Sequence, residues 1–389
     1  MIEEQTVLAQ PAQGDAPARG AAPPDEASKV WLLAPVASAA LAACGGGSAD
    51  EEVGIVGAAR AVRYRYARPR TEAEASRFLQ QAQLSVSTTD ISNVMRNGFQ
   101  PWLAAQFNLP QGQTGWDWLV SRGYSQIDST TRFFDSTSPG DYMIWNQLMT
   151  APDGVRKRFA LALSEFFVVS LSGLSFNWRF FALASWWDML VKNAFGNFRQ
   201  LLEDVTLHPA MGYYLNTKGN QKEDAKTGRM PDENYSREVM QLFTIGLYQL
   251  NPDGTEKTDS SGNRIETYTN DDVTNLARVF TGYDFDYSQT VYTTLTDINR
   301  KVPDIGFTRL PMALNASRHS MLEARFLGTT IPANTEGKAA LKIALDALFN
   351  HPNVGPFFGR QMIQRLVTSN PSPAYVARVA AAFANNGSG

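Results

Sequence analysis

From residue 71 onward, apolar side chains recur at three- and four-residue intervals along most of the chain, the spacing that gives a helix one buried stripe. Thr71-x-x-Glu74 has the form of a capping box ahead of Phe78, Leu79 and Ala82. A second helix follows Thr89-Asp90, with Ile91, Val94 and Met95 inward and Gly98 at its end, and Trp102, Leu103 and Phe107 continue the pattern. Residues 155–169 place Phe159, Leu163, Phe166 and Phe167 on one side. Residues 180–198 do the same with Leu183, Trp186, Trp187, Leu190, Val191 and Ala194. Such stripes read as core. Residues 197–207 repeat it with Phe198, Leu201, Leu202 and Val205 until His208-Pro209 breaks the run. Asn270-Asp271-Asp272 caps a helix with Val273, Leu276, Ala277 and Phe280 inward and Gly282 last, and residues 336–349, 357–367 and 374–383 read as closing helices.

Between these runs the period changes. Asn251-Pro252-Asp253-Gly254 and Ser261-Gly262-Asn263 are turn signals, so residues 247–268 read as a small β-hairpin projecting between helices. Its acids lack the spacing of a calcium loop. Residues 284–316 read as irregular and strand-poor. The expectation is a mainly α, multi-helix globular domain with a small β-hairpin insertion, over residues 71–389.

The segment from Pro231 to Gly246 divides most sharply. Pro231 suits a first helical turn, Asp232 or Asn234 can cap it, and Gly246 supplies a stop. Tyr235, Val239, Leu242, Phe243 and Gly246 fall on one side. Glu233, Asn234, Arg237, Glu238, Gln241 and Thr244 fall on the other, with Glu233 and Arg237 at i,i+4. That lysine-free polar side reads either as a solvated face or as the wall of a cleft. Its two carboxylates lie about 140° apart around the helix, a poor acid/base pair by themselves.

The 35 basic and 38 acidic side chains nearly cancel, which argues against nucleic acid as a partner. The single cysteine changes the picture more. Residues 30–43 form an apolar run too short to span a bilayer but suited to a signal sequence, and Leu41-Ala42-Ala43-Cys44 resembles the bacterial lipoprotein box, in which the cysteine thiol is acylated. Residues 29–44 are therefore expected to be a lipoprotein-type signal with Cys44 lipidated, and residues 45–70 a flexible linker. Arg60, Arg63, Arg65, Arg68 and Arg70 in that linker fall beside Tyr64 and Tyr66. Residues 1–28 carry Glu3, Glu4, Asp15, Asp25 and Glu26 against Arg19, which is wrong for a signal n-region. They read as a disordered extension, with translation expected to start near residue 30. The location implied is the bacterial envelope, lipid-anchored, at the outer membrane facing the periplasm.

Recognisable reaction motifs are scarce. The chain has no phosphate-binding Gly-x4-Gly-Lys-Ser/Thr, no Gly-x-Ser-x-Gly elbow and no His-Glu-x-x-His. Of the three histidines, His208 and His351 each precede a proline after a helical run and read as helix-end residues bonding the last carbonyls. His319 stands four residues before Glu323, a spacing that on a helix would let the two share a proton or a divalent metal. That pair alone assigns no metal, and no cofactor is assigned.

Several pieces together are similar to one bacterial family, the family of unknown function numbered 1800. They are Arg77-Phe78-Leu79-x-Gln81-Ala82, Asn197-Phe198-Arg199, His208-Pro209-Ala210-Met211, the block from Asp232 to Gly246, the run from Leu276 to Tyr283, Arg318-His319, Phe326-Leu327-Gly328 and His351-Pro352. The resemblance implies a secreted or envelope protein, mainly helical. Its genes often neighbour one for a secreted protein resembling the sulfatase and alkaline-phosphatase group, and it carries over no activity. Two departures stand out. Many members have a Trp-His-x-His element after the helix that here ends at Val169, and this chain has no histidine there. Members also continue with a further helix, so a truncated reading frame is expected, with Val376, Val379 and Phe383 under-packed.

The functional expectation is an envelope-anchored lipoprotein that binds or assembles with another secreted protein, with one of that sulfatase/alkaline-phosphatase-like group as the candidate partner. The alternative is a hydrolase or group-transfer enzyme on an envelope polymer. It would take Glu233, Glu238 and His319 as catalytic groups and Asn234, Arg237, Gln241 and Arg278 as ligand-binding groups.

Overall fold

The computed structural model describes residues 68–385. The signal-like segment with Cys44, the extension before it and most of the linker lie outside the described residues. Within them are fourteen α-helices and three two-stranded antiparallel sheets, so the architecture is mainly α.

The first helices are α1 (Glu72–Ala82), α2 (Thr88–Asn97), α3 (Phe99–Asn108) and α4 (Gly115–Ser121). Thr71 accepts the Glu74 N–H at 3.2 Å, but the Glu74 carboxylate reaches Arg70 N rather than closing the box on Thr71. Two complete capping boxes form elsewhere, at Ser87/Asp90 before α2 and at Thr269/Asp272. In both, the cap lies one or two residues ahead of its expected position, because the acid serves best at the third helical residue.

Next come α5 (Ser138–Thr150), α6 (Gly154–Phe166), α7 (Arg179–Asn193), α8 (Phe198–Leu207) and α9 (Pro209–Tyr214). α7 is the central element, packed against α4, α5, α6, α8 and α9, with Phe180, Phe181, Trp186, Trp187, Leu190 and Val191 buried. Trp178 precedes it in the left-handed region at φ +64° and donates its indole N–H to Pro303 O at 2.7 Å, tying α7 to the later strands.

The second half holds α10 (Asn234–Gln241) and α11 (Asn270–Val279), then six short strands and three final helices. The strands are β1 (Tyr283–Asp284), β2 (Tyr292–Leu295), β3 (Arg300–Pro303), β4 (Ala313–Leu314), β5 (Ala324–Phe326) and β6 (Thr329–Ile331). They pair β1 with β4, β2 with β3 and β5 with β6. The region read as strand-poor, residues 284–316, therefore carries β2 to β4 and the end of β1, while β5 and β6 follow it. The three pairs are two to four residues long, too short for an alternating pattern to register. Residues 247–268 double back antiparallel through isolated bridges at Tyr248–Glu266, Leu250–Glu256 and Thr258–Arg264. The buried Asn353 clamps this arm. Its side chain donates to Ile245 O and Tyr248 O and accepts from Leu250 N.

The closing helices are α12 (Gly337–Phe349), α13 (Val354–Leu366) and α14 (Pro373–Ala384). Val376 and Val379 are buried and Phe383 packs 5.5 Å from Phe198 and 5.9 Å from Phe358, so the expected under-packing does not occur.

Candidate functional site

The polar side of α10 is built on a helix shorter than its sequence signals suggest. Asp232 accepts the Asn234 N–H at 2.8 Å and opens the helix, which ends at Gln241 and unwinds through a turn to Gly246 at φ +71°. Two residues change sides as a result. Leu242 is exposed, whereas Thr244 is buried with its hydroxyl donating to Val239 O.

The remaining polar residues are mostly engaged inside the protein. Glu233 accepts from Thr274 at 2.6 Å and pairs with Arg237 at 3.3 Å, and Arg237 also donates to Asn270 Oδ1 at 3.2 Å. Gln241 accepts from the Tyr268 hydroxyl at 2.9 Å. Glu238 differs: its Oε2 is buried without a hydrogen-bond partner, and burial raises its pKa against the opposing pull of Arg237.

His319 does not lie on a helix with Glu323. It closes a short 3-10 turn, is 2% exposed, and donates Nδ1–H to Thr281 O at 3.0 Å. Glu323 instead pairs with Arg325 at 2.6 Å. Arg278, on α11, donates to Asn275 and to Glu323 O, while its Nε stays buried and unpartnered. The fold thus gathers Glu233, Arg237 and Gln241 with residues of α11 and Tyr268, and gives His319 separate partners.

The other two histidines occupy helix ends, but as acceptors rather than donors to carbonyls. His208 Nδ1 accepts the Ala210 N–H at 3.1 Å, and His351 Nδ1 accepts the Asn353 N–H at 3.2 Å. In each His-Pro-x sequence the ring caps the turn after the proline. Burial pushes the His208 pKa down to about 3, so the ring is neutral and its proton sits on Nε2. It therefore donates to Ser185 Oγ at 3.0 Å, and the serine proton points to Thr308 O at 2.7 Å. This tautomer is wrong for activating a serine nucleophile.

A cavity of about 530 Å³ opens beside that pair, between α4, α7 and α8. Thr114, Trp116 and Asp117 line one wall, and Ser185, Asp188, Met189 and Lys192 come from α7. Glu203, Asp204 and Leu207 come from α8, with His208, Pro209, Arg309 and Pro311 completing the lining. Asp188 accepts the Gly115 and Trp116 N–H groups at 2.7 and 2.9 Å. Burial raises its pKa to about 6, with those two bonds and Lys157 acting in the other direction. Lys157 is itself buried, 3.8 Å from Asp153, and burial lowers its pKa. The Arg309 guanidinium lies 4.7 Å over the Trp116 ring. Sequence periodicity passes over this cavity because Ser185 and Asp188 sit inside an aromatic stripe. The one usable signal was an acid in the interior of that stripe, where a charge is costly unless something requires it.

Among the described residues no group of three or more His, Cys, Asp or Glu is arranged to hold a metal ion, and no helix is long and apolar enough to cross a membrane. A family model described as a protein of unknown function (DUF1800) matches residues 77–389, and the chain belongs to that family. No curated protein and no solved structure matches it.

Proposed function

We propose that this DUF1800-family protein is an envelope lipoprotein, anchored through Cys44 at the outer membrane and facing the periplasm. In this reading it serves as a binding or assembly partner of another secreted protein, of the sulfatase/alkaline-phosphatase-like kind. The observation that carries the partner role is the outward face of α5. Tyr142, Trp145 and Met149 share it at helical spacing and are 57%, 65% and 51% exposed. Large aromatic and methionine side chains on one exposed face are what protein interfaces enrich at their centres.

The test is recovery of partners from solubilised membranes with a Tyr142→Ser/Trp145→Ser variant beside wild type. Both side chains are exposed, so folding should survive. Each buried aromatic anchor is worth on the order of 2 kcal/mol, so partner recovery should fall more than tenfold. Undiminished recovery would exclude α5 as the docking face.

A second reading, an enzyme acting on an envelope polymer, is favoured by Glu238 with its buried, unpartnered oxygen and raised pKa beside Arg237. A carboxyl held that way suits general acid work. Glu238→Gln would then abolish turnover of isolated envelope polymer while leaving partner recovery intact. A variant that turns the polymer over as wild type does removes that reading.

A further inference from the structure

The cavity between α4, α7 and α8 is a recess of about 530 Å³, within the size range that small ligands occupy. Its charges are unevenly committed. Glu203 is paired with Arg199 at 2.8 Å, and Asp204 accepts from Asn193 and Gln200. Lys192 and Arg309 stand exposed at the edge, Arg309 with its face against Trp116. Asp188 is the charge set within the recess. Each of its oxygens takes a single backbone N–H, which leaves lone pairs on both. The groups acting on it are Lys157 behind it and Asp117 beside it. Met189, Leu207, Pro209 and Pro311 supply apolar wall.

A partly desolvated carboxylate with spare acceptor capacity and apolar surroundings selects a cation that carries hydrocarbon. The apolar wall beside Asp188 favours an organic cation over a bare ion, and among the described residues the carboxylates and histidines do not converge as a metal site. We propose that this cavity binds a small organic amine, with Asp188 as the counter-ion and the Met189–Leu207 wall covering the amine's apolar body. This site is distinct from the α5 face and stands or falls apart from it.

The experiment uses the purified full-length chain with benzylamine as probe, and benzyl alcohol and benzoate as neutral and anionic controls of the same shape. Binding is followed by ligand-observed NMR and by thermal shift at pH 7.5. Benzylamine should bind saturably, with Kd on the order of 1 mM for so small a ligand, and raise Tm. The two controls should bind at least tenfold more weakly. Asp188→Asn keeps the shape and should weaken benzylamine at least tenfold. Met189→Trp fills the recess and should remove binding without touching the carboxylate, which keeps the test decisive if the Asn variant folds poorly. Non-saturable benzylamine binding, equal binding of benzyl alcohol, or unchanged binding in either folded variant would overturn the assignment.

Discussion

Asp188 illustrates how much a single side chain can carry. Its carboxyl is raised to about 6, above the ordinary value of 3.8, because burial disfavours the charge more than two backbone N–H groups favour it. The folded state therefore holds its proton more tightly than the unfolded chain. The stabilising contribution is fully present below about pH 4 and is lost as pH rises through about 6, amounting to about 3 kcal/mol at most. Asp188→Asn should flatten that part of the stability–pH profile, measured by urea unfolding between pH 4 and 7. A profile as steep as wild type would mean that another group titrates there. The same scale explains the histidines. His208 and His351 use Nδ1 to cap the turn after a proline, which occupies one nitrogen and fixes the tautomer.

At the scale of elements, close approach of backbone segments matters more than propensity. Gly282 follows α11 at φ +89°, where an added Cβ would come within 2.8 Å of Asn315 O and 3.0 Å of the His319 N. Its own N–H and C=O are bonded to Asn220 and Asn315, so the backbone cannot shift away without breaking both. Gly282→Ala should cost roughly 2–4 kcal/mol, combining left-handed strain with a clash. Gly219→Ala is the matched control. It has φ +77° but nothing within 4 Å of an added Cβ, so only about 1 kcal/mol is expected. Denaturant unfolding of the two variants separates clash from strain, and equal losses would show that no clash exists at Gly282.

At the scale of the whole molecule, early and late elements share one core. The rings of Phe166 and Phe198 meet Phe358 at 5.3 and 4.6 Å. Gln81 of α1 donates to Leu366 O and Val367 O at the end of α13, and Arg158 of α6 donates to Arg365 O. These long-range bonds place α1 and α6 against α13, so the interior forms only when distant parts of the chain come together. The α5 face points away from that interior, and the amine cavity lies at the meeting of α4, α7 and α8.

The sequence by itself determined most of the helices, the aromatic core and the family, because each depends on residues within a few turns of one another, whereas α4, α5 and α9 and the exact caps and stops were not read from it. It placed α6, α7, α8 and α11 to α14 near their observed bounds. It could not show that Thr244 turns inward and Leu242 outward, since that depends on where α10 unwinds into its turn. Strands of two to four residues carry too few positions to reveal a period, so β1 to β6 were not legible. The separate partners of His319, the exposed ridge on α5 and the cavity around Asp188 were decided only by tertiary structure. Each is a relation between surfaces distant in sequence, and periodicity reports only which side of an element is apolar, not what that side meets.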